Sequence, residues 1–157
     1  MKTRIFIHGL ESSSQGVKGK YFREKFPDMI IPDFTGPLEQ RMKKLKEVLK
    51  EKTDIIIVGS SYGGLMASLF AMEQGDRVNR LILLAPAINY LDMAVKDPKR
   101  IDIPTWIYHG TKDDVIPLKD VKAVAERIFT ELSFNVVDDD HYLYDTFVKI
   151  PWEKFLS

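Results

Sequence analysis

The segment Gly59-Ser60-Ser61-Tyr62-Gly63 fits the pattern G-x-S-x-G with Ser61 at its centre; the frame centred on Ser60 fails because Val58 stands where the first glycine is required. In such a pattern the serine sits on a sharp turn from strand to helix. The flanking glycines remove side chains that would collide with that turn. A hydroxyl held this way is a candidate nucleophile for acyl transfer. It is a poor one alone, because a base must take its proton and an acid must fix the tautomer and charge of that base. The chain offers three histidines, His8, His109 and His141, and no cysteine, so thiolate nucleophiles, disulfides and cysteine-ligated metals are excluded.

These residues need a scaffold, and the hydrophobic pattern supplies one. Short apolar runs, Ile5–Ile7, Met29–Ile31, Ile55–Val58, Leu81–Leu84, Trp106–Tyr108 and Phe134–Val137, alternate with longer amphipathic stretches. The runs are mostly continuous rather than alternating, as strands covered on both faces must be. They predict an α/β fold: one mainly parallel sheet of six strands with helices on both faces, occupying residues 1–157 as a single domain. Leu38, Met42, Leu45 and Leu49 repeat at helical spacing, as do Val121, Val124, Ala125, Ile128 and Phe129, so both stretches are expected as crossover helices. The lysines between Lys43 and Lys52 are interrupted by Glu47 and Glu51 and read as a solvated helix face. In a parallel sheet, ligands bind beyond the C-terminal strand ends. His8-Gly9, Asp33-Phe34, Ser60-Ser61, His109 to Asp113 and Asp138 to His141 all fall there, which gathers all three histidines on one edge.

With these motifs in order, the sequence resembles the α/β-hydrolase superfamily, closest to its short, lidless serine esterases. The stretch His109-Gly110-Thr111-Lys112-Asp113-Asp114-Val115-Ile116-Pro117 is similar to that superfamily's acid loop, and His8-Gly9-Leu10-Glu11-Ser12-Ser13 to its early His-Gly loop. The resemblance implies a triad in the order nucleophile, acid, histidine. That order selects Ser61, Asp113 and His141, with Asp114 as the rival acid. It implies backbone N–H donors for an oxyanion at Leu10 and Tyr62. His8 is then structural, its ring bonding to loop backbone, and the Asp138 to Asp140 run is a polar turn. Residues 85–102, between the strand segments at Leu84 and Ile103, are too few for a lid once a crossover is made.

Composition closes off other classes. Lys plus Arg equals Asp plus Glu at 23 each, so no charge excess draws the surface to nucleic acid or anionic lipid. With 45% hydrophobic residues the chain can bury a core, no apolar run is long enough for a membrane span, and without cysteine a cytoplasmic setting is expected. No metal or nucleotide motif is present, so the expected chemistry is cofactor-free: hydrolysis of a small acyl ester through an acyl-enzyme on Ser61. A shallow pocket is expected from Phe34, Ile88, Val115, Ile116 and Tyr142, with Leu10, Tyr62 and Tyr90 also at hand. A thioester would suit the same site, and a non-catalytic binding module remains the alternative of a different class.

Overall fold

The computed structural model describes every residue, Met1–Ser157. Five of the apolar runs become strands: β1 (Thr3–Ile7), β2 (Ile55–Ser60), β3 (Val78–Leu84), β4 (Thr105–Gly110) and β5 (Leu132–Val137). They form one wholly parallel sheet in chain order, β1-β2-β3-β4-β5. Seven helices accompany them: α1 (Val17–Lys25), α2 (Leu38–Val48), α3 (Tyr62–Gln74), α4 (Leu91–Ala94), α5 (Leu118–Ile128), α6 (Tyr144–Phe147) and α7 (Trp152–Phe155). None is long and apolar enough to cross a membrane.

The expected sixth strand, Met29–Ile31, is reduced to one parallel bridge between Ile30 and Ile5. Two hydrogen bonds make it: Phe6 N–H donates to Ile30 O at 3.0 Å and Ile30 N–H to Arg4 O at 2.8 Å. Pro32 then ends the pairing, since it has no N–H to continue the ladder. The sheet therefore has five strands with an edge segment beside β1.

Alternating side chains fill two cores. Ile5, Ile7, Ile55, Ile57, Leu81, Leu83 and Ile107 pack with residues of α2, α3 and α5 on one face. Phe6, Ile56, Val58, Ile82 and Leu84 pack on the other against Phe22 of α1 and the C-terminal Phe147, Trp152 and Phe155. Phe22 and Trp152 meet edge to face, 4.9 Å between ring centres. The apolar stripes at Leu45 and Leu49 and at Val121, Ala125 and Ile128 are buried, as their spacing requires.

Register brings the strand ends level. Ile7 pairs with Gly59, Ser60 with Leu84, Leu84 with Tyr108, and Gly110 with Val137. The loops that leave this edge carry the candidate chemistry.

Candidate active site

Ser61 lies between β2 and α3 with φ 54° and ψ −115°, a conformation that side-chain-bearing residues rarely adopt. Three backbone hydrogen bonds hold it: Ser61 N–H donates to Leu84 O at 2.8 Å, while Ser61 O accepts from Gly64 N–H and Ala87 N–H, both at 2.9 Å. The turn also needs Gly63, where a Cβ would stand 2.0 Å from Ile7 O. Glycine there lets the start of α3 touch the end of β1. A Cβ at Gly9 would stand 3.9 Å from Ser61 Oγ, so the His-Gly loop lies directly against the serine.

Ser61 Oγ is 3.1 Å from His141 Nε2, and His141 Nδ1 is 2.8 Å from Asp113 Oδ2. The Asp113 side chain is fully buried; its two oxygens accept three hydrogen bonds and lie close to a fourth N–H. Oδ1 accepts from Val115 N–H at 2.9 Å and Ile116 N–H at 2.8 Å. Oδ2 faces His141 and also His109 Nε2 at 3.2 Å. Asp114, the rival, is exposed and makes no side-chain hydrogen bond.

His109 is the residue that sequence reasoning passed over. Its Nε2 lies 2.9 Å from Ile116 O, which can only accept, so Nε2 carries the proton and donates it to that carbonyl, with Asp113 Oδ2 close by at 3.2 Å. Nδ1 is buried without a partner. Burial holds the imidazole below its ordinary pKa, against the opposing pull of Ile116 and Asp113. The lowered value favours the neutral ring, so its approach to Asp113 at 3.2 Å is a close polar contact rather than an ion pair. The signal in the sequence was its place at the head of the acid loop, as the last residue but one of β4.

The loop that carries His141 is folded by its acidic neighbours. Asp139 Oδ2 accepts from Thr146 N–H at 3.0 Å and Thr146 Oγ1–H at 2.8 Å. Asp140 Oδ1 accepts from Tyr142 N–H at 2.9 Å. Gly110 lets this loop close down on β4, since a Cβ there would stand 2.2 Å from Asp139 O. Lys18 of α1 ties it from the other side, donating to Tyr142 O at 2.6 Å with its ammonium 5.0 Å from the Tyr144 ring centre.

His8 faces the other loop. Its Nε2 accepts from Phe34 N–H at 2.8 Å, which leaves the proton on Nδ1, 2.7 Å from Gly9 O. That bond fixes the Gly9–Leu10 peptide, whose opposite end is the Leu10 N–H. Burial lowers the pKa of His8 and keeps it neutral. Leu10 N–H donates to no protein group, and Tyr62 N–H, first in α3, has no helical carbonyl to reach.

A cavity of about 530 Å³ opens over Ser61, lined among others by Leu10, Tyr62, Tyr90, Val115, Ile116 and Tyr142. Phe34 and Ile88, expected in its wall, do not line it. Phe34 is buried beneath His8, ring centres 5.8 Å apart, and Ile88 turns into the core on the α3 side. Ile88 follows β3 and Phe34 the edge segment beside β1, but the short turns that carry them direct the side chains inward. Lys18 and Tyr144, which the sequence did not single out, take wall positions instead.

The fold recurs among solved structures. Est1E from Butyrivibrio proteoclasticus, solved with ferulic acid bound, is 18% identical with a TM-score of 0.79 over 99% of this chain and 86% of that one. An esterase from Exiguobacterium antarcticum is 14% identical with a TM-score of 0.77, covering 100% and 92%. Mouse alpha/beta hydrolase domain-containing protein 10 is 20% identical with a TM-score of 0.74, covering 99% and 90%. No curated protein matches the sequence. Residues 11–137, from the His-Gly loop to the end of β5, match the dienelactone hydrolase family, and the chain is therefore a member of that family and a hydrolase of the α/β type.

Proposed function

We propose that the protein is a serine carboxylesterase that cleaves small acyl esters. The observation that carries this reading is the pair of hydrogen bonds running from Ser61 Oγ through His141 to Asp113, 3.1 Å and 2.8 Å long. Ser61 Oγ attacks the acyl carbonyl as His141 Nε2 takes its proton, and the charge that builds on the carbonyl oxygen is met by Leu10 N–H and Tyr62 N–H. His141 then returns the proton to the leaving alkoxide. Water repeats the sequence on the acyl-enzyme, with His141 as base, and releases the acid. Asp113 holds the imidazolium that forms in each step.

Residues 85–102 form only short helical turns, and of them Ala87 and Tyr90 reach the cavity while α4 lies away from it. Short acyl chains fit such an open site best. Activity is expected to peak between acetyl and roughly hexanoyl esters, because each buried methylene adds only ~0.8 kcal/mol and that gain stops where the tail leaves the wall. A fluorophosphonate probe tests the reading first: label on Ser61, lost in Ser61→Ala, supports it, whereas no label, or label on another serine, overturns it. kcat/KM across matched esters and thioesters of graded length then tests bond and size, and a rise that continues to twelve carbons contradicts the open site.

A further inference from the structure

Arg41 of α2 is an anomaly. Its side chain is buried, with 5% of the residue exposed, yet it forms no salt bridge with any Asp or Glu. A desolvated guanidinium without a counter-charge is costly, and it persists only when its position is worth that cost. Nε donates to Gly36 O at 2.7 Å, and Nη2 reaches Leu10 O at 3.5 Å. The guanidinium lies 5.4 Å from the ring centre of Tyr62. Nη1 is buried and has no partner. Arg41 thus bridges Leu10 and Tyr62, which come from different loops, β1–α1 and β2–α3, and which carry the two N–H groups assigned above to the oxyanion.

We propose that Arg41 is a positioning residue for the oxyanion hole. Its Nη2 reaches the Leu10 carbonyl while its guanidinium face lies by the Tyr62 ring, so the two donor residues keep a fixed separation. His8 already pins the Gly9–Leu10 peptide through Gly9 O, and Arg41 pins the next peptide through Leu10 O. The uncompensated charge adds a second effect. Buried beside both donor residues and paired with no carboxylate, it adds positive potential near the point where a tetrahedral intermediate carries its negative oxygen, with Asp33 the nearby opposing charge acting on His8. Because Nη1 has no access to solvent or to the cavity, the charge acts through position and field and does not bind a substrate group.

The inference rests on the serine-esterase reading, and its test separates the two. Wild type, Arg41→Met and Arg41→Lys are compared for fluorophosphonate labelling, for kcat and KM on p-nitrophenyl acetate, and for affinity toward a trifluoromethyl ketone, which forms an anionic tetrahedral adduct on the serine. Removing an oxyanion donor outright costs about 10² to 10³ in kcat, and losing its support should cost less, on the order of 10 to 10². Arg41→Met is expected to lower kcat by that factor with KM within about threefold, and to weaken the ketone by the same factor as kcat. Arg41→Lys, which keeps the charge and loses the fork, should fall between Met and wild type. Should Arg41→Met fail to fold, Arg41→Lys still decides the matter through its parallel loss in kcat and ketone affinity. A structural role alone predicts a lower melting temperature with unchanged kcat per labelled serine, and that result overturns the proposal. Wild type without label overturns the serine reading and this inference with it.

Discussion

His109, at the end of β4, and His141, on the loop after β5, approach the same oxygen of Asp113, at 3.2 Å and 2.8 Å. Asp113 thus sits between the buried His109 and the His141 it holds. Asp113→Asn should lower kcat by about 10³ to 10⁴, since an amide can no longer hold the His141 tautomer. Asp114→Asn should cost less than about threefold, because Asp114 is exposed and touches nothing in the relay. His109→Phe should fall between them. Side-by-side kcat values check the ranking, and a larger loss at Asp114 would move the acid one residue along.

Gly63→Ala tests the turn rather than the chemistry. Its new Cβ would meet Ile7 O at 2.0 Å and His8 O at 2.8 Å, both backbone atoms of the neighbouring strand end. Neither can swing away. Denaturant unfolding should show a loss of about 1–3 kcal/mol or more, the usual range for overpacking, together with loss of probe labelling. A variant as stable as wild type would mean that β1 and α3 are not in contact.

Acid should weaken the fold in two stages. His8 and His109 are both held below the ordinary histidine value of 6.5 by burial. Between 6.5 and their folded values the unfolded chain binds more protons than the native one, so stability falls as pH drops through that window. The second stage belongs to Asp33, lowered by hydrogen bonding from Ser14, and to Asp139, where bonds from Thr146 and Asp140 outweigh the opposing effect of burial. Their contribution is present above the ordinary value of 3.8 and is lost as pH falls through the lower folded values. Melting temperature from pH 8 to pH 3 reads both stages. A flat profile between pH 7 and pH 5, or imidazole resonances of His8 titrating at or above 6.5, contradicts the first.

Burial pushes the Lys18 ammonium down to about 8, opposed by Asp139 and Asp140. Lys112 is held above the usual lysine value by its bond and pairing with Asp138. At pH 8 Lys18 is therefore about half unprotonated and should acylate ahead of Lys112 under limiting acetic anhydride. Peptide mass spectrometry gives the order. Because Lys18 lines the same cavity as Ser61, a bound active-site inhibitor should slow its modification. Faster reaction at Lys112 would show that Lys18 is not depressed.

Much of this site was legible because the relevant signals are local. Ser61 sits within a five-residue turn pattern, Asp113 within an acid loop, and His141 just past an apolar run, so their common sheet edge could be read without knowing any contact. Arg41 and Lys18 gave no such signal. Each looks like one more cation on an amphipathic helix, and only the packing of α2 and α1 against strand-end loops turns them toward the site. Phe34 and Ile88 show the converse error: position after a strand fixes the edge on which a residue lies but not the direction of its side chain. Met29–Ile31 had the composition of a strand, yet Pro32 left it a single bridge to Ile5.

The strand order has a kinetic consequence. Since β1 to β5 lie side by side in the order of synthesis, each strand can dock on the one before it. The strained turn at Ser61 requires Leu84 O and Ala87 N–H, so it can close once β3 and the loop after it are in place. Asp113 and His141 arrive only with β4 and β5. A nascent or partly folded chain can thus hold the nucleophile turn well before it holds a base, and in a refolding experiment hydrolysis should lag behind burial of the central strands. Turnover is then a clock for the final docking step, and chains stalled short of β5 stay silent.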